Sequence, residues 1–142
     1  VSAPGSVLFV CNHNRVRSPM AAALLRARLG DAVRVDSCGL SGHGEEADGF
    51  AAAVMAELGV DLLAHGAKSV AVVQDEPFDL VVSLTPEAHA RTLALKKDPA
   101  TVLEVWPIED PAAEQGAREV RLEAYRRVRD VLARRIADRF GA

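Results

Sequence analysis

The sequence predicts an α/β protein of three layers, a four-stranded parallel sheet with helices on both faces. Short, apolar, β-rich runs alternate four times with segments of helical spacing. Strands separated by helices pair in parallel through right-handed crossovers. A chain of 142 residues, 49% hydrophobic and 26% charged, suits one hydrophobic core, so residues 1–142 read as a single domain.

Val7–Val10 reads as a buried strand. Ser18-Pro19 opens an alanine- and leucine-rich helix that stops at Gly30, with Ser18 as N-cap and Pro19 in the first helical position. Val33–Ser37 is a second strand, and residues 48–58 form a helix ended by Gly59. Asp79–Leu84 and Thr101–Trp106 are further strands, with a helix from about Pro86 to Leu95 between them. The last helix, from about Ala117 to Phe140, carries the apolar stripe Tyr125, Val128, Leu132, Ile136 and Phe140 at spacings of three and four. Its arginines and interspersed acids read as a solvated face. Trp106 and Met55 read as core.

Composition narrows the function. A net charge of −3 argues against broad nucleic-acid binding. No apolar run reaches the length of a membrane span, and the Val1–Ser6 stretch lacks the order of a signal peptide. Two cysteines do not make a disulfide scaffold; they fit a reducing cytoplasm, where a lone thiol can serve as nucleophile. Charge is unevenly spread. Residues 1–30 contain four arginines and no acid, which leaves −7 on the remainder and suits a site that holds an anion.

Open parallel sheets bind ligands beyond the carboxyl ends of their strands. Four loops leave those ends: Cys11–Arg17, Ser37–His43, the segment from Thr85, and Pro107–Pro111. The first is the most informative. A buried strand ends at Cys11, five residues pass, and Arg17 stands just before a helix whose first turn supplies no carboxylate. Helix N-termini present unpaired N–H groups and partial positive charge. The loop Asn12-His13-Asn14-Arg15-Val16-Arg17-Ser18 is thus placed to wrap its amides around a tetrahedral oxyanion, with Arg17 forking onto two oxygens and Cys11 beneath the central atom. A bare Cys-x5-Arg pair would more often be a buried cysteine and a surface arginine. Placement between a strand and a helix, with serine following, favours function.

Cys11-x5-Arg17-Ser18 close to the N-terminus resembles the loop of the low-molecular-weight protein tyrosine phosphatases and the related arsenate reductases. Asn14 matches that family's loop asparagine, which holds a left-handed turn. Ser37-Cys38-Gly39 resembles its Ser-Ala-Gly, His65 a later histidine, and Asp110-Pro111 its Asp-Pro. The resemblance spans nearly the whole chain and implies the flavodoxin-like phosphatase fold. It also implies a phosphomonoester hydrolase, foremost a protein tyrosine phosphatase, acting without metal or cofactor on a phosphotyrosine protein or small phosphate ester. The alternative is arsenate reduction with an external small thiol.

The implied roles are Cys11 as nucleophile, Arg17 and the loop amides as phosphate ligands, and Asp110 as general acid and then base. Pattern alone would make Asp110-Pro111 a surface turn; Glu109 is the fallback acid. Ser18 is placed to donate to the thiolate, and Asn14, Ser37 and His65 to brace the loop. A lower thiol pKa makes more thiolate but a weaker nucleophile, so most acceleration falls to positioning and preorganised donors.

The departures bear on substrate. Val16 stands where many members carry a second loop cysteine, so no intraloop disulfide forms. Ala112 and Ala113 stand where many phosphatases have aromatic residues. Leu84, Thr85 and His89 occupy the region where thioredoxin-linked reductases carry a cysteine pair. Cys38 reads as a small buried side chain, with a resolving thiol as the sharper alternative. His43, His65 and His89 match no metal-ligand spacing.

Overall fold

The structure is a computed structural model describing residues 3–96 and 98–141. Val1 and Ser2, the start of the Val1–Ser6 stretch, lie outside the described residues, as do Lys97 and Ala142.

Four strands form the main sheet: β1 (Ser6–Cys11), β2 (Arg34–Gly39), β5 (Leu80–Ser83) and β6 (Val102–Val105). Their order is β2-β1-β5-β6 and every pair is parallel. Because alternate strand residues point to opposite faces, β1 serves two cores. Val7, Phe9 and Cys11 join the cluster under α1 (Arg17–Leu29), α2 (Gly49–Ala56) and α5 (Arg118–Phe140). Leu8 and Val10 join the smaller one, with Val70 and Val73 of α3 (Val70–Val73) and Ala88 of α4 (Pro86–Leu95). Burial on both faces is why β1 and β5 read as continuous apolar runs. The stripe of α5 is seated by Tyr125, Val128, Leu132 and Ile136, each at most 1% exposed. Full burial of a large apolar side chain contributes roughly 1.5–3 kcal/mol. Trp106 and Met55 are core, and Trp106 lies 5.9 Å from Phe9, ring to ring.

Three readings of the sequence are corrected. Residues 43–46 and 66–68, which carry no strand signal in the sequence, form an antiparallel pair, β3 (His43–Glu46) and β4 (Gly66–Lys68). All four residues of β3 are exposed, so there was no apolar pattern to find. The first helix begins at Arg17, with Val16 in the cap position and no side-chain cap; Ser18 is not the N-cap, because its hydroxyl is engaged inside the loop. Nor is the polar side of α5 wholly solvated. Arg129 is buried and donates to the Val54 carbonyl at 2.8 Å and to Glu57 at 2.7 Å. Glu57 also receives Arg126, which holds its carboxyl down to about 2.

Candidate active site

The loop after β1 is held from within. Asn14 is fully buried, and at φ 56° it is the one non-glycine with positive φ among the described residues. Asparagine tolerates this left-handed region better than most residues. Its Nδ2 donates to Ser18 Oγ at 2.8 Å and Ser37 Oγ at 3.0 Å, while Oδ1 accepts from the Lys68 amide at 2.9 Å. The Asn14 carbonyl lies 2.6 Å from His65 Nε2. One side chain thereby ties the loop to α1, β2 and β4.

Cys11 is 2% exposed, and its sulfur lies 2.9 Å from Ser18 Oγ. That hydroxyl is also 3.2 Å from the Cys38 carbonyl. Arg17 is buried in the first turn of α1, where its Nη1 donates to the Ile108 carbonyl at 3.0 Å. The first turn of α1 contains no acid to compete for an anion. Asp110 follows two residues after Ile108. It is exposed, and its Oδ1 accepts from the Ala112 amide at 3.0 Å, capping a short turn at Pro111–Ala113. Arg17 and Asp110 line one open pocket of about 430 Å³ together with Asn12, Thr85, Glu87 and Glu109. Glu109 is paired with Arg127 at 3.2 Å.

Other side chains of the loop turn elsewhere. His13 Nδ1 meets Ser41 Oγ at 3.0 Å, and Arg15 Nε donates to the Glu46 carbonyl at 2.9 Å, both exposed. Val16 packs against the core. Gly39 explains the close approach of the second loop. A Cβ there would stand 2.7 Å from the Asn14 nitrogen, 2.9 Å from the His13 carbonyl carbon and 2.6 Å from the Ser41 oxygen.

Cys38 pairs in register with Val10, whereas Cys11 pairs with Gly39. Neighbours one residue out of register point to opposite faces, and the two cysteines accordingly belong to opposite cores. Burial foremost, and then the nearby Cys11, push the Cys38 thiol up to about 12. Both cysteines are free. This placement fits a small buried side chain rather than a resolving thiol.

Two supports reach the loop by contacts that were not legible in the sequence. Asp48 caps α2 through Phe50 N and Ala51 N at 2.8 and 3.2 Å, and its own amide donates to the Arg15 carbonyl at 2.9 Å. Burial and the carboxylates of Asp48 and Asp110 push the Tyr125 hydroxyl above its ordinary range; it is hydrogen-bonded to Asp48. Asp48 followed by an alanine-rich run was a visible cap signal, but its reach to Arg15 was not. Thr85 is the second. It caps α4 by accepting from the Ala88 amide at 3.0 Å and donates to Asn12 Oδ1 at 2.8 Å.

A family model described as low molecular weight phosphotyrosine protein phosphatase matches residues 6–140. The chain belongs to that family. An arsenate reductase of Halalkalibacterium halodurans is 32% identical over 130 residues, covering 92% of this chain and 91% of its own. The low molecular weight protein-tyrosine-phosphatase Etp of Escherichia coli K12 is 36% identical over 91 residues, 63% of this chain and 61% of that one. The crystal structure of the tyrosine phosphatase amsI of Erwinia amylovora superposes with a TM-score of 0.79 at 25% identity, covering 98% of this chain and 92% of that chain. The family thus includes relatives named for hydrolysis and for arsenate reduction. Against the family pattern, this member has Val16 in its loop and exposed Ala112 and Ala113 beside Asp110. No helix among the described residues is long and apolar enough to cross a membrane.

Proposed function

We propose that the chain hydrolyses phosphate monoesters, phosphotyrosine proteins foremost, through a cysteinyl-phosphate intermediate. The observation that carries this reading is the Cys11 sulfur at 2.9 Å from Ser18 Oγ, under a loop whose Arg17 shares a pocket with Asp110. Cys11 attacks phosphorus while the loop amides of residues 12–17 and Arg17 hold the three phosphoryl oxygens, which gain charge in the transition state. Asp110 gives its proton to the departing oxygen. It then takes one from the water that attacks phosphorus, and the Cys11 thiolate leaves with Ser18 Oγ donating to it. A nucleophile and an acid flanking an oxyanion loop favour turnover over simple phosphate binding, which needs neither.

The test is hydrolysis of p-nitrophenyl phosphate in chelator at mildly acidic pH. Wild type turns over; Cys11→Ser retains binding of inorganic phosphate and loses turnover. A folded, reduced wild type with negligible turnover would refute the reading.

A second reading, arsenate reduction, is favoured by the relatives so named, such as the Halalkalibacterium halodurans protein matching over 91% of its length. In that reaction Cys11 adds to arsenate with loss of hydroxide. A thiol then attacks the Cys11 sulfur, leaving arsenite and a disulfide. Cys38 on the opposite sheet face gives no support for an internal partner, so the thiol would be an external small molecule. Arsenate-dependent consumption of such a thiol is the measurement that favours this reading.

A further inference from the structure

Asn12 is the first residue of the loop, and its side chain is fixed in an unusual way. Thr85 Oγ1 accepts the Ala88 amide at 3.0 Å, which is the cap of α4, and spends its single proton on Asn12 Oδ1 at 2.8 Å. Thr85 itself is 3% exposed, so this hydroxyl does not wander. With Oδ1 committed, the planar carboxamide must present Nδ2 on its other edge. Among the described residues, Nδ2 has no hydrogen-bond partner, and Asn12 lines the pocket shared by Arg17 and Asp110.

The rest of that pocket is acidic or aliphatic. Glu87 stands on the first turn of α4, Glu109 beside the acid, and Pro86, Pro107 and Ile108 complete the wall. No aromatic ring lines it to stack on a phenyl group, and the neighbouring Ala112 and Ala113 offer none. An oriented amide donor is the most specific feature left for reading the substrate next to its phosphate.

We infer that Asn12 is a specificity-determining residue and Thr85 its positioning residue, selecting phosphate esters whose leaving group carries a hydrogen-bond acceptor beside the ester oxygen. The inference rests on the phosphatase reading and refines it: the bare ring of phosphotyrosine is turned over, and among aryl esters those with an acceptor beside the ester oxygen are turned over faster. An acceptor at that position receives the unpaired Nδ2 donor. A bare phenyl ring displaces the water on Nδ2 without replacing its hydrogen bond, a loss rather than a gain in affinity.

The experiment compares catechol monophosphate with phenyl phosphate, which differ by one ortho hydroxyl. Wild type turns over catechol monophosphate with a kcat/KM about fivefold higher, the size expected of one neutral hydrogen bond. In Thr85→Val and in Asn12→Leu that ratio falls to about one, whatever happens to the absolute rates; Thr85→Ser, which keeps the hydroxyl, restores it. Asn12→Leu leaves the α4 cap in place, so it reports even where Thr85→Val folds poorly. A wild-type ratio near one, or a ratio unmoved in Asn12→Leu, overturns the inference. Failure of wild type to hydrolyse either ester would overturn the phosphatase reading instead.

Discussion

Ser18 Oγ lies 2.9 Å from the Cys11 sulfur and accepts the Asn14 side-chain amide at 2.8 Å. With a lone pair occupied by Asn14, the hydroxyl proton is free to point at sulfur or at the Cys38 carbonyl 3.2 Å away. The helix position that sequence logic gives to capping has been taken over by the Cys11 thiol.

Ser18→Ala is therefore expected to slow the step in which the thiolate departs. A hydrogen bond to a charged group is worth about 1.5–3 kcal/mol, so kcat on p-nitrophenyl phosphate should fall roughly 10- to 100-fold, with an initial burst of nitrophenol. Rapid-mixing kinetics measure it. A variant with wild-type kcat and no burst would remove Ser18 from the second step.

Asp110→Asn should discriminate by leaving group. Positioned acids contribute about 10²- to 10⁴-fold. Phenyl phosphate, with a poor leaving group, should lose about 100-fold more than dinitrophenyl phosphate. Equal losses on the two esters would mean that Asp110 acts only through its cap on Ala112.

Gly39→Ala places a methyl group 2.7 Å from the Asn14 nitrogen and 2.6 Å from the Ser41 carbonyl oxygen. Backbone on both sides cannot rotate away, so the loop itself must move. Oxyanion binding suffers first, with inhibition by inorganic phosphate weakening at least about tenfold, since misplaced positioning groups of this kind cost factors of that order. Competitive inhibition assays report this separately from thermal unfolding. Unchanged phosphate inhibition would show the second loop to be dispensable for the first.

Asn14→Ala and Asn14→Gly separate conformation from bonding. Both leave Ser37 Oγ and the Lys68 amide without their Asn14 partner, but glycine accepts φ 56° freely. Alanine should destabilise by about 3 kcal/mol and glycine by about 1 kcal/mol less, as left-handed strain is removed. Urea unfolding tests the order, and equal losses would assign the whole effect to hydrogen bonding.

Cys38 predicts alkaline behaviour. Its thiol is raised in the fold to about 12 from an ordinary 9, so the folded state favours the protonated form. The stability this provides is complete below about pH 9 and is lost as pH rises toward about 12. Native protein at pH 8 should take up iodoacetamide at Cys11 alone, and at both cysteines in urea. Native labelling of Cys38 would show that its core opens readily.

The amino-acid sequence by itself determined the four parallel strands, the helix between each pair, and the loop in which Cys11 and Arg17 stand. These are local signals: an apolar run, a helix start, a glycine stop, a spacing of six. Helix α4 was legible, at about Pro86 to Leu95, because its signals lie in sequence order. Tertiary structure decided what no local pattern encodes. β3 and β4 hold together by backbone pairing with an exposed face, so they left no hydrophobic alternation to read. Ser18, a residue with capping propensity, bonds instead to a thiol seven positions earlier because the turn at Asn14 brings them together. Arg17 meets Ile108 across 91 residues and Asn12 meets Thr85 across 73. Such contacts depend on which strand lies beside which, and strand order is fixed by packing both faces of the sheet at once.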